Sequence, residues 1–129
     1  MMLIDTSAWI EFLRRVGDPD VTRRVATYLE TGTAAVCGSI EFELLTGARP
    51  AEVEDVRTAI SFCEQLEFTA ACWRRAAKAE RDLRGVGVTV PRDDVFVATI
   101  ALEYGVPIYA CDAHFELMQA KGKLGLQLV

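Results

Sequence analysis

The strongest constraint on the fold is an alternation along the chain between short apolar runs and longer stretches whose apolar residues recur at helical spacing. Met1–Ile4, Thr33–Cys37, Leu66–Phe68, Pro107–Cys111 and Leu126–Val129 read as strands, the last at an edge. Between the first two, Ser7 is expected to N-cap a helix carrying Trp9, Ile10, Phe12 and Leu13 that stops near Gly17. Asp18 and Pro19 start another, with Val21, Val25, Tyr28 and Leu29 on one stripe and Gly32 as its stop. Further helices are expected over Ser39–Thr46, Ala51–Gln65, Thr69–Arg84, Asp93–Tyr104 and Ala113–Lys121, with Gly47 and Gly105 closing the first and fourth of these. Strands interleaved with helices predict βα units, hence an α/β fold: a three-layer α/β/α sandwich around a central, mostly parallel sheet. At 129 residues, 51% of them hydrophobic, and with no repeat or proline-rich linker, the chain is expected to form one domain over residues 1–129.

Charge narrows the function. Fourteen basic against 19 acidic residues give a net charge of −5 and a pI near 4.9, which excludes a protein that holds nucleic acid by bulk positive charge. Eleven of the basic residues are arginines, the side chain suited to bidentate phosphate contact. Arg74, Lys78 and Arg81 share a helix face, which reads most simply as solvated surface, and Arg14, Arg15, Arg49 and Arg92 lie near acidic segments. No apolar run approaches the roughly 18 residues of a membrane span, and Met1–Asp5 lacks a basic leader, so a cytoplasmic protein with no membrane association is expected. Cys37, Cys63, Cys72 and Cys111 form no CxxC pair and His114 is the single histidine, which disfavours structural zinc. The thiols are expected to be small core residues. Trp9, Trp73 and Tyr104 fit core stripes better than base-stacking platforms.

Certain acids fall where ligands collect. In open parallel sheets that place is the crevice beyond the carboxyl ends of the strands, and Asp5 and Asp112 each immediately follow a strand. Either could equally cap the next helix. Asp94 sits at the centre of an apolar stripe with Val97, Ala98 and Ala101, where an unpaired carboxylate would be costly. Its neighbour Asp93 points about a third of a turn away, towards the stripe's edge. Glu41 and Glu43, two apart on a helix, face nearly opposite ways, and the residues alone do not choose between them. Gly47, four beyond Glu43, either ends the helix or leaves open space beside that carboxylate.

Taken together, Leu3-Ile4-Asp5-Thr6-Ser7, Glu43-Leu44-Leu45-Thr46-Gly47, Asp94-Val95-Phe96-Val97-Ala98 and Asp112-Ala113-His114-Phe115 resemble the four acidic motifs of PIN-domain ribonucleases. Length and the closing element are most similar to the VapC toxins of toxin–antitoxin pairs. The resemblance implies a metal-dependent endoribonuclease with Asp5, Glu43, Asp94 and Asp112 as catalytic, metal-holding acids, selecting Glu43 over Glu41 and Asp94 over Asp93. It further implies Mg²⁺ or Mn²⁺, which suits oxygen ligands of this kind, an RNA substrate, and products bearing a 5′-phosphate and a 3′-hydroxyl. Asp5 and Asp94 are expected as direct ligands, Glu43 and Asp112 as ligands through water or at a second ion. Ser7 and Asp93 are expected beside them as supporting groups. A cognate antitoxin and a homodimer are the implied partners. One departure is Ala110, where the family often carries a hydroxyl two residues before its last aspartate. His114 as a general base is disfavoured, since a metal can supply the nucleophile without it. Two rival readings remain: a fold that has lost its chemistry and serves as a scaffold or RNA-binding module, and a haloacid-dehalogenase-like phosphatase. The latter also places an aspartate after its first strand but wants a second where Ser7 stands.

Overall fold

The computed structural model describes residues 1–129. Four strands, β1 (Met2–Ile4), β2 (Ala34–Cys37), β3 (Glu64–Leu66) and β4 (Ile108–Tyr109), form one parallel sheet in the order β3-β2-β1-β4. Met2 stands opposite Ala34 and Leu3 opposite Ile108. Seven helices connect and follow them: α1 (Thr6–Leu13), α2 (Pro19–Glu30), α3 (Gly38–Gly47), α4 (Val53–Ser61), α5 (Ala70–Gly85), α6 (Arg92–Tyr104) and α7 (His114–Gly122). All four residues of β2 are at most 1% exposed, and successive side chains of a strand point to opposite faces, so helices cover both faces of the sheet. The expected three-layer α/β/α sandwich is the observed fold. Trp9 of α1, Ile100 of α6 and Phe115 and Met118 of α7 pack into the core with Leu3 and Ile4.

The topology sets where a site can lie. From β1 the chain steps outward to β2 and then β3, and the α5–α6 connection carries it back across the sheet to β4, on the other side of β1. The β1/β4 pair is therefore the switch point at which connections leave in opposite directions, opening a crevice at the strands' carboxyl ends.

Local signals explain most boundaries. Asp18 caps α2 by accepting from the Asp20 and Val21 amides, with Pro19 at the first helical position. Thr69 caps α5 through the Cys72 amide, and Gly105 closes α6 in the left-handed region at φ 64°.

Four expectations are corrected. The cap of α1 is Asp5, not Ser7, which lies one residue inside the helix. That helix ends at Leu13, short of Gly17, because the turn that follows folds back until Gly17 lies against the Glu11 carbonyl. The helix expected over Ala51–Gln65 is a short 3-10 turn (Pro50–Glu52) followed by α4. Glu64 and Gln65 instead pair with Ala35 and Val36, the free edge of β2 outweighing helical propensity. Beyond α7, the expected edge strand is a single parallel bridge, Leu128 to Ile108. No helix is long and apolar enough to cross a membrane.

Candidate functional site

Asp5 is the first residue past β1 and is 2% exposed. Its Oδ2 accepts from the Ser7 amide at 3.1 Å and from Ser7 Oγ at 2.6 Å. Ser7 Oγ in turn accepts from the Cys111 amide at 2.8 Å, so one hydroxyl ties the end of β1 to the segment leaving β4. Asp112 follows, its Oδ1 accepting from the His114 amide at 3.0 Å in the turn that starts α7. This local bond orients Asp112 although Ala110 offers no hydroxyl.

Asp94 occupies the first turn of α6, its side chain 13% exposed, with Oδ2 2.6 Å from His114 Nδ1. The same nitrogen is 3.9 Å from Asp112 Oδ1. Donor atoms of Asp94, Asp112 and His114 all lie within 4.8 Å of one another. Glu43, on α3, faces the same crevice: its Oε1 accepts from Thr6 Oγ1 at 3.1 Å. Glu41 points elsewhere and accepts from Gln65 Nε2 of β3 at 2.7 Å, so the side chains separate as the acidic motif implies. Asp93 is exposed and bonds to none of these groups, reaching the cluster only through its charge.

The electrostatics are those of acids whose one basic neighbour is the His114 imidazole. No Lys or Arg forms an ion pair with Asp5, Glu43, Asp94 or Asp112. Burial raises the Asp5 carboxyl above its ordinary range, the Ser7 hydrogen bonds pull against that, and the Asp112 charge adds to it. Burial also raises Glu43, with help from the charges of Asp93, Asp5 and Asp94, while the Thr6 hydroxyl opposes. Asp94 is pushed up to about 6 by burial first, then by the charges of Asp5 and Asp112, against the pull of His114. Repelling carboxylates joined by one imidazole are a donor set that fits a divalent cation, whose charge would relieve the repulsion. Beside Glu43 a groove of about 310 Å³ is lined by Thr6, Arg14 and Gly47. A Cβ at Gly47 would meet nothing, so the glycine leaves space next to the carboxylate as well as ending α3.

Thr6 and the Asp94–His114 bond were not anticipated. The hint for Thr6 was a hydroxyl adjoining Asp5, and for His114 an imidazole two residues past Asp112. Other expectations are corrected. Trp9 is fully buried, but Trp73 is 59% and Tyr104 40% exposed, Trp73 packing edge-on against Phe68 and Phe96. Cys37 and Cys72 are core residues, whereas Cys63 is half-buried and Cys111 exposed, and all four are free. The face of Arg74, Lys78 and Arg81 is solvated surface as expected, with Lys78 paired to Asp82 and the two arginines exposed and in no ion pair; Arg92 pairs with Glu80, and Arg15 is exposed with no ion pair.

An open parallel sheet whose switch point gathers carboxylates without a Lys or Arg partner from four separate segments defines a class, the α/β proteins with an acidic centre suited to a cation. Comparison narrows it. The PIN domain family matches residues 2–121, and the chain belongs to that family. Ribonuclease VapC11 of Mycobacterium tuberculosis is 28% identical over 130 residues, covering 92% of this chain and 91% of the relative. Among solved structures, DNA-bound VapBC from Salmonella typhimurium superposes with a TM-score of 0.82 at 17% identity, over 99% of this chain and 96% of the other. VapC20 of Mycobacterium tuberculosis, a toxin that cleaves the sarcin–ricin loop, gives 0.67 at 17% identity, over 91% and 94%.

Proposed function

We propose that this chain is a divalent-cation-dependent endoribonuclease and the toxin of a toxin–antitoxin pair. The carrying observation is that Asp5, Glu43, Asp94 and Asp112 meet in one crevice with no Lys or Arg paired to any of them, the carboxyls of Asp5, Glu43 and Asp94 being raised first by burial and then by neighbouring acid charges. Membership of the PIN family, the ribonuclease names of its relatives and the VapBC complexes of like fold support the same reading. Asp5 and Asp94 would hold the ion directly, and Glu43 and Asp112 through water or at a second ion. When bound, Mg²⁺ or Mn²⁺ would neutralise charge on the scissile phosphodiester and acidify the attacking water.

The protein's own groups prepare that chemistry. Ser7 fixes the rotamer of Asp5 and holds the β4 end against it. Thr6 steers Glu43 towards the crevice, and the turn bond from the His114 amide fixes Asp112. The open space at Gly47 leaves room for a nucleic-acid strand beside Glu43, with Arg14 on the same wall to meet a phosphate. A cognate antitoxin, a homodimer, a single domain over 1–129 and a cytoplasmic location belong to the same proposal.

The test incubates the antitoxin-free protein with total cellular RNA in Mg²⁺, in Mn²⁺ and in EDTA, beside Asp94→Asn, and maps new ends. Discrete cuts that need the metal, carry a 5′-phosphate and fall at least 100-fold in the variant are expected. No cleavage by a folded, metal-loaded sample would favour the inactive scaffold instead.

A further inference from the structure

His114 is the one basic group that reaches the acids, and it is not an acid of the motif. Its ring is carried by the first residue of α7, whose amide is already bonded to Asp112 Oδ1, so the imidazole belongs to the same rigid turn as that carboxylate. Nδ1 stands 2.6 Å from Asp94 Oδ2 and 3.9 Å from Asp112 Oδ1. An octahedral centre with bonds of about 2.1 Å separates neighbouring donors by about 3.0 Å and opposite ones by about 4.2 Å, so both spacings lie within a few tenths of an ångström of a ligand set. The side chain is 45% exposed, which leaves it room for that adjustment, and its second nitrogen bonds to no protein group.

We propose that His114 Nδ1 is a ligand of the metal centre beside Asp94, that it brings Asp112 into direct coordination of the same ion in place of coordination through water, and that this nitrogen makes the centre select Mn²⁺ over Mg²⁺. The inference rests on the reading of the acids as a divalent-cation centre. Magnesium is a hard ion that dehydrates reluctantly and favours oxygen donors. Imidazole binds first-row transition ions more readily, so one nitrogen among carboxylates shifts the preference towards manganese. His114 thereby decides which of two ions of like charge the four acids hold.

The test uses the full chain, wild type, His114→Ala and His114→Gln, titrated with Mn²⁺ alone and in competition with Mg²⁺, and read by electron paramagnetic resonance. Spin-echo modulation of the bound Mn²⁺ is expected to report a directly coordinated nitrogen in the wild type and none in either variant. Preference for Mn²⁺ over Mg²⁺ is expected to fall by about tenfold or more in both variants. The glutamine variant keeps a polar group beside Asp94, so loss of nitrogen coupling there is not a loss of fold. Mn²⁺ bound by the wild type with oxygen coupling only, or a preference equal in all three proteins, would overturn the role of His114 and leave the nuclease reading standing. A wild type that retains no Mn²⁺ would overturn both.

Discussion

Asp5 caps a helix and belongs to the acidic cluster with one carboxylate. The two roles, alternatives on the sequence, coexist because Ser7 engages only Oδ2, leaving Oδ1 for another ligand. Ser7 is the link that makes this work, since its hydroxyl donates to Asp5 and accepts from the Cys111 amide. Ser7→Ala removes both bonds and leaves a buried carboxylate with one donor fewer. The expected result is a loss of about 1–2 kcal/mol in chemical denaturation and a 10- to 100-fold weaker affinity for Mn²⁺ by calorimetry, with the fold retained by circular dichroism. Unchanged metal affinity would show that Ser7 serves the helix alone. At this scale the sequence was readable where a residue acts through its neighbours, as Asp18 does as a cap. It was unreadable where partners are remote: Thr6 meets Glu43 across 37 residues, and His114 meets Asp94 across 20. No local period carries such a pairing, and only the switch-point topology brings the residues together.

Elements were legible to the degree that their ends are written in local chemistry. Gly32 and Gly105 adopt positive φ and stand just past α2 and α6, as stops of that kind should. Gly17 misleads because its role is tertiary. A methyl group there would overlap the Glu11 carbonyl of α1, so the glycine permits the α1–α2 turn to pack and does not stop the helix. Gly17→Ala is expected to lower stability by about 1–3 kcal/mol, seen as a fall in the thermal midpoint. Gly47→Ala, whose new methyl meets nothing, is the matched control and is expected to show no loss. Equal midpoints for the two variants would refute the close packing. Residues 64 and 65 fail for a related reason: the pattern that continues α4 is overridden by the unpaired edge of β2, which the sequence displays only as another apolar run.

For the whole molecule, an excess of acid is concentrated where burial makes it felt. The metal-free fold holds Asp94 with its carboxyl near 6, against 3.8 in an unstructured chain, so the folded state binds that proton more tightly than the unfolded one. Stability from this group is therefore fully present below about pH 4 and declines as the pH rises to 6, by no more than about 3 kcal/mol; Asp5 and Glu43 shift in the same direction. A bound cation replaces the proton as the counter-charge, so its stabilising effect must grow across the same interval. In EDTA the thermal midpoint is expected to be lower at pH 7.5 than at pH 5.5, and Mn²⁺ is expected to raise it more at pH 7.5. Asp94→Asn, which carries no charge at that position, should flatten the EDTA profile, stand above the wild type at pH 7.5 and lose most of its response to the ion. Wild-type midpoints in EDTA that rise from pH 5.5 to 7.5 would mean that the acids are compensated by some other charge. The acidic cluster would then need no cation to be stable, and carboxylate repulsion would not be what drives metal binding.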